Sequence, residues 1–261
     1  MKKNKRKIGT CHLCGYYGEL SFEHTPNRKA FNDKRVVTLS LKEAISLGPN
    51  AIPKGRVQQK GSGAYVLCER CNHLTGHWYG SQFVRWCYDA MSVLINADRK
   101  PTLYYPFLLY PLPVIKQIIT MFFSANGDRL GACNPELKKF VLHKNEKYLP
   151  PKYRFFISYN VSRKAGLFPL SAKVNIVKHK HQLFTEIAYP PFIYIMTVDS
   201  DSIDQRLEEI TYFTRFNYNE LAIVNLRIPI LPVENWIPGD FRTKDEMQQP
   251  EDWILLTRTE S

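Results

Sequence analysis

Residues 81–96, SQFVRWCYDAMSVLIN, carry apolar side chains at Phe83, Val84, Trp86, Cys87, Ala90, Met91, Val93, Leu94 and Ile95. Recurrence every three or four residues is the period of an amphipathic helix, and Ser81 stands where an N-cap belongs. A second helix is expected over 113–125, starting near Pro113 and stopped by ANGD. A third is expected over 134–145, with Asn134 as cap and Pro135 at the first helical position, where a missing N–H costs nothing. LKEAISLG (41–48) reads as a short helix closed by Gly48.

From about residue 153 the period changes. YRFFISYNV, AKVNIVKH, QLFTEIAY, FIYIMTV and LAIVNLRIPIL are short runs of β-branched and aromatic residues separated by turn formers. They predict an antiparallel sheet of about five or six strands. The first eighty residues follow neither pattern and are rich in Gly, Cys, His and basic side chains. There IGTCHLCGYYGELSFEH reads as a knuckle followed by a strand pair, with the turn at Gly15 and Gly18. GSGAYVLCERCNHLTG reads as a flexible stretch, a short strand and a second knuckle that starts a helix. The expected class is α+β, in four parts: a basic arm (1–10), a cysteine-bearing domain (11–80), a helical connection (81–150) and a β-rich C-terminal region (151–261).

Composition narrows the function classes. With 44% hydrophobic and 23% charged residues among 261, the chain is of globular and not disordered type. The longest apolar run, PLPVIKQIITMFF (111–123), contains Lys116 and Gln117 and is too short to span a bilayer. Lys2, Lys3, Lys5, Arg6 and Lys7 are not followed by an apolar segment, so no secretory signal is expected and a cytoplasmic protein is. A net charge of +12 suits a polyanionic partner such as nucleic acid, because each neutralised phosphate releases a counterion.

Six cysteines are present. Cys87 and Cys133 read as ordinary buried thiols. The other four form two C-x-x-C pairs, Cys11/Cys14 and Cys68/Cys71, with residues 15–67 between them. A two-residue gap lets both thiolates of a pair reach one ion from a tight turn, and two such turns complete a tetrahedral zinc site. With four sulfur ligands and no open position, such zinc is structural, and its binding energy is folding energy.

Between the pairs stands Glu23-His24, and Asn72 directly follows the last cysteine. Cys-x-x-Cys, an acid-His dyad with Pro26 two residues on, and Cys-x-x-Cys followed by Asn resembles the HNH endonucleases. These are ββα-metal nucleases, and the chain is similar to the zinc-containing subgroup of the phage resolvase endonuclease VII. The resemblance covers residues 11 to about 80. It implies a zinc-stapled nuclease domain that hydrolyses phosphodiester bonds in DNA. His24 would be the general base, and Glu23 and Asn72 would hold a catalytic magnesium or manganese ion, with His77 as an alternative ligand and His73 also within reach. Such chemistry needs a proton acceptor near neutral pH and hard oxygen ligands that leave the cation most of its water. Family members often carry a middle Asn a few residues before the third cysteine. Here that place holds Gly63 and Ala64, and Asn50 is the upstream candidate for the brace.

Arg28, Lys29 and Arg70 are the expected phosphate contacts, with Lys34, Arg35, Lys54, Arg56 and Lys60 nearby in sequence. No phosphate loop, nucleophile elbow or second metal cluster is found in 100–261. That region is left for substrate binding, assembly with a second copy or a regulatory partner. The competing expectation is a zinc-knuckle nucleic-acid-binding protein without catalysis.

Overall fold

The computed structural model describes residues 7–38, 56–97, 100–161, 166–175 and 180–231, and the expected helix over 41–48 lies outside them. The chain is α+β with antiparallel sheets. Strand β1 (Lys7–Thr10) pairs with β2 (Tyr17–His24), which pairs on its other edge with β5 (Gly63–Cys68). A short ribbon, β3 (Val36–Thr38) with β4 (Arg56–Gln58), lies between β2 and β5 in the chain. Helix α1 (Glu69–Thr75) leaves β5 at once and runs through a π-turn (Gly76–Gly80) into α2 (Ser81–Ile95). Ser81 therefore caps nothing. It has helical φ and ψ inside one rod that extends the expected helix back to the second knuckle.

Helix α3 (Pro111–Asn126) is buried along every face from Pro111 to Phe123. A helix that is apolar all round belongs inside a core. Short α4 (Asp128–Cys133) and α5 (Pro135–Leu142) follow. Asn134 is the residue before α5, but its amide reaches back to the Leu130 carbonyl (2.9 Å) instead of capping the new helix.

The C-terminal sheet has five strands in the order β11-β7-β10-β9-β8, all antiparallel: β7 (Tyr153–Tyr159), β8 (Gly166–Asn175), β9 (Lys180–Tyr189), β10 (Phe192–Val198) and β11 (Glu208–Glu209). Every residue of β10 is buried because both faces of the sheet are covered. One face joins the main core, where Phe192 stacks on Trp86 of α2 at 4.4 Å. The other closes over Phe156, Phe184, Ile193, Ile195 and Leu207. The last expected strand, β12 (Ala222–Pro229), does not join this sheet. It pairs along its whole length with β6 (Thr102–Leu109), a strand the pattern did not predict. A single apolar core runs from Cys11 and Leu13 of the first knuckle through α2 and α3 to Ile228 of β12. Among the described residues, no helix is long and apolar enough to cross a membrane.

One charge sits inside that core. Lys116 of α3 is fully buried, and its ammonium donates to the carbonyls of Phe140 (2.7 Å), His143 (2.6 Å) and Lys144 (3.1 Å) at the end of α5, over the Phe140 ring. Burial pushes its pKa down towards about 7, opposed by Glu146. Three carbonyls at a helix C-terminus use every N–H of the charged form and hold the proton. Lys116→Met should cost roughly 3 kcal/mol in urea unfolding, since three carbonyls lose their donor at once.

Candidate metal centre and the dyad beside it

The first knuckle is the turn between β1 and β2. Cys11 N–H donates to Tyr16 O (2.8 Å), and Gly15 N–H donates to Cys11 O (2.9 Å). Gly15 has φ +79°, the left-handed region that closes such a turn. The second knuckle is the junction of β5 and α1. Strand pairing sets Leu20 opposite Cys68, and His12 N–H donates to Val66 O (2.9 Å), so the two turns meet. The sulfurs of Cys11, Cys14, Cys68 and Cys71 all lie within 4.8 Å of one another, with Cys14 and Cys68 at 3.8 Å. Four sulfurs around zinc at about 2.3 Å would be separated by roughly 3.8 Å, so the cluster can hold a metal ion such as zinc. Among the described residues it is the sole group of that kind.

The hydrogen bond from Cys71 drives the Cys11 pKa down to about 4, while contact with that anion and burial drive Cys71 far up. A cation among the four sulfurs would favour the thiolate form of each. Lys138 of α5 donates to the Cys14 carbonyl (2.7 Å) and brings a positive charge to the knuckle. Of the remaining cysteines, Cys87 is buried as expected, but Cys133, at the end of α4, is exposed.

The dyad ends strand β2. Between Ser21 and Phe22 the pairing with β5 shifts by a bulge, which re-aims the side chains beyond it. Glu23 keeps only 9% of its surface, and burial raises its pKa to about 7. Its carboxyl has no hydrogen-bond or ion-pair partner among the described residues, an expensive state for a carboxylate unless a cation joins it. His24 is half-buried and edge-on to Phe22 (4.9 Å). Its Nε2 lies 3.0 Å from the Lys60 carbonyl. A carbonyl only accepts, so the proton sits on Nε2 and leaves the Nδ1 lone pair free. Burial first, then the Arg28 charge, hold its pKa below the usual imidazole value against the Lys60 carbonyl.

Helix α1 brings Asn72 to the same strand. Its amide nitrogen donates to Ser21 Oγ (3.0 Å) and to the Phe22 carbonyl (3.1 Å), one residue from Glu23. Both N–H bonds are used, and the amide oxygen has no partner among the described residues. His73 and His77 lie exposed further along the helical rod, stacked on each other at 6.1 Å, and no hydrogen bond among the described residues joins either to the dyad. Arg28, Lys29 and Arg70 are exposed, Arg28 close enough for its charge to act on His24. Asn50 and Lys54 lie outside the described residues.

Asn32 was not singled out in the sequence, and it ties the loops around the dyad. Fully buried, it donates to the carbonyls of Pro26 (2.6 Å) and Ser62 (2.8 Å) and accepts from Ser62 N–H (2.6 Å). Gly61 beside it has φ +92°, and a Cβ there would lie 1.9 Å from the Asn32 carbonyl oxygen, so only glycine fits. The residue type was a signal, since a short amide can bridge two loops, but position 32 is remote in sequence from the loop before Cys68. Searches among protein-family models, curated proteins and solved structures found no match for the chain.

Proposed function

We propose that the chain is a metal-dependent endonuclease of the HNH kind, acting on DNA through its N-terminal region. The observation that carries this reading is Glu23. A buried carboxyl with no partner lies next to His24, whose Nε2 hydrogen is occupied by a carbonyl, and Asn72 reaches the preceding residue from α1. Two antiparallel strands followed by a helix agree with the ββα-metal resemblance.

In this mechanism His24 Nδ1 takes a proton from the attacking water, while the Lys60 carbonyl holds the ring in the correct tautomer. Glu23 and the Asn72 amide oxygen would hold magnesium or manganese, which supplies positive charge at the scissile phosphate and the leaving oxygen. Zinc held by the four cysteines would be structural: it would join the β1–β2 turn to α1 and so help to fix Asn72 against β2. Arg28, Lys29 and Arg70 bind backbone phosphates, and the net charge of +12 attracts the polyanion.

The test is cleavage of supercoiled plasmid with magnesium or manganese. Wild-type protein is expected to cut only with such an ion. Asn72→Ala is expected to raise the manganese concentration for half-maximal cutting about tenfold or more, with zinc content unchanged. A wild type that binds DNA with steep salt dependence, yet cuts it with neither ion, would leave a zinc-knuckle binding protein instead.

A further inference from the structure

The C-terminal sheet reaches into the loops that carry the dyad at Tyr189. Tyr189, the last residue of β9, is buried, and its hydroxyl lies 2.9 Å from Asn32 Oδ1 and 3.2 Å from the Phe31 carbonyl. A phenol has one proton, and the shorter contact is to Asn32. Asn32 Oδ1 thus accepts from two sides, from Ser62 N–H and from Tyr189. Its amide nitrogen meanwhile joins the loop after His24, at Pro26, to the loop before β5, at Ser62. Thr25 N–H also donates to Ser62 O (3.1 Å), and Lys60, two residues before Ser62, offers the carbonyl that orients His24.

Both ends of this chain of contacts are anchored. Tyr189 pairs with Phe192 across the β9–β10 turn, and Phe192 stacks on Trp86 in the core. On the other side Phe31 holds φ +63°, a strained value for a non-glycine residue, and its ring lies against Tyr88 of α2 at 4.7 Å. Asn32 would be largely satisfied without the phenol, because Ser62 already donates to its oxygen. What Tyr189 adds is a fixed direction for that amide relative to a rigid sheet.

We infer that Tyr189 is a positioning residue for the proposed nuclease centre: through Asn32 it sets the loop whose Lys60 carbonyl orients His24. The inference rests on the endonuclease reading, and it links the β-rich region to the dyad through Asn32 and the Lys60 loop.

Tyr189→Phe removes only the hydroxyl and keeps the buried ring. The expected result is a fall of about tenfold in kcat, the loss of one oriented hydrogen bond, with KM for plasmid and zinc content unchanged. A second readout needs no activity. In a long-range ¹H–¹⁵N spectrum, the His24 imidazole signals, assigned by their loss in His24→Ala, should broaden or double in Tyr189→Phe. A lowered melting temperature with wild-type kcat and an unchanged His24 spectrum would assign Tyr189 to stability alone and overturn the inference. If wild-type protein cuts nothing while the His24 signals still respond to Tyr189→Phe, the linkage stands and the nuclease reading fails.

Discussion

On the proposed endonuclease reading, His24→Ala is expected to lower the rate of metal-dependent plasmid cleavage by about 10²–10⁴-fold, the usual contribution of a positioned general base. The fold should be untouched. The ring is half-buried, makes a single hydrogen bond to the Lys60 carbonyl, and packs edge-on to a partly exposed Phe22. Zinc content and melting temperature should therefore match the wild type, and DNA binding at low salt should persist, because Arg28, Lys29 and Arg70 remain. Equal rates for His24→Ala and wild type would remove the base from the mechanism and with it the enzyme assignment. His24→Gln makes a useful companion, since its amide can still donate to the Lys60 carbonyl but cannot take a proton. It should be as inactive as the alanine variant.

Cys68→Ser is expected to have the second large effect, on the fold itself. Cys68 ends β5 opposite Leu20, begins α1 and sits 3.8 Å from Cys14. Losing one of four thiolates opens the coordination, and structural zinc contributes roughly 10–16 kcal/mol of apparent binding energy at neutral pH. Only a part of that need be lost to unfold a domain stabilised by about 5–15 kcal/mol. The damage should not stop at the knuckles, because Cys11, Leu13, Cys68 and Cys71 belong to the same core as α2, α3 and β10. The expected outcome is zinc well below one ion per chain, measured by a chromogenic chelator, together with a lower melting temperature for the whole protein. Full zinc occupancy in Cys68→Ser would show that the ion is held elsewhere. Chelation of wild-type protein should reproduce the defect, and added zinc should reverse it.

The local rules read well wherever one element's own chemistry decided its form. The C-x-x-C gaps located both knuckles, since that spacing by itself lets two sulfurs face one ion, and the four sulfurs do converge. Helical period located α2, α3 and α5, and dense β-branched runs located β7, β9 and β10. The same rules failed where a distant partner decided. Ser81 has the chemistry of a cap, but α1 and the π-turn supply helical turns before it and leave no free N–H groups to cap. Cys133 looked like a core thiol, yet the short α4 turns it outwards.

Strand β6 shows the limit most clearly. TLYYPFLL carries a proline and two exposed tyrosines, a poor strand signal, and it becomes a strand because β12 pairs with it from Ala222↔Leu109 to Pro229↔Thr102. The run LAIVNLRIPIL was correctly read as extended, but its place outside the main sheet was fixed by that partner and not by its own pattern.

The sequence by itself determined the two C-x-x-C pairs and the α+β class of the fold, because each depends on residue type or period at short spacing. Tertiary structure alone decided that Asn72 lies against β2, that Asn32 ties the surrounding loops, and that Tyr189 reaches them from the far sheet. Those are contacts between residues up to 157 positions apart. Their pairing is chosen by how the core closes, and no local periodicity encodes it.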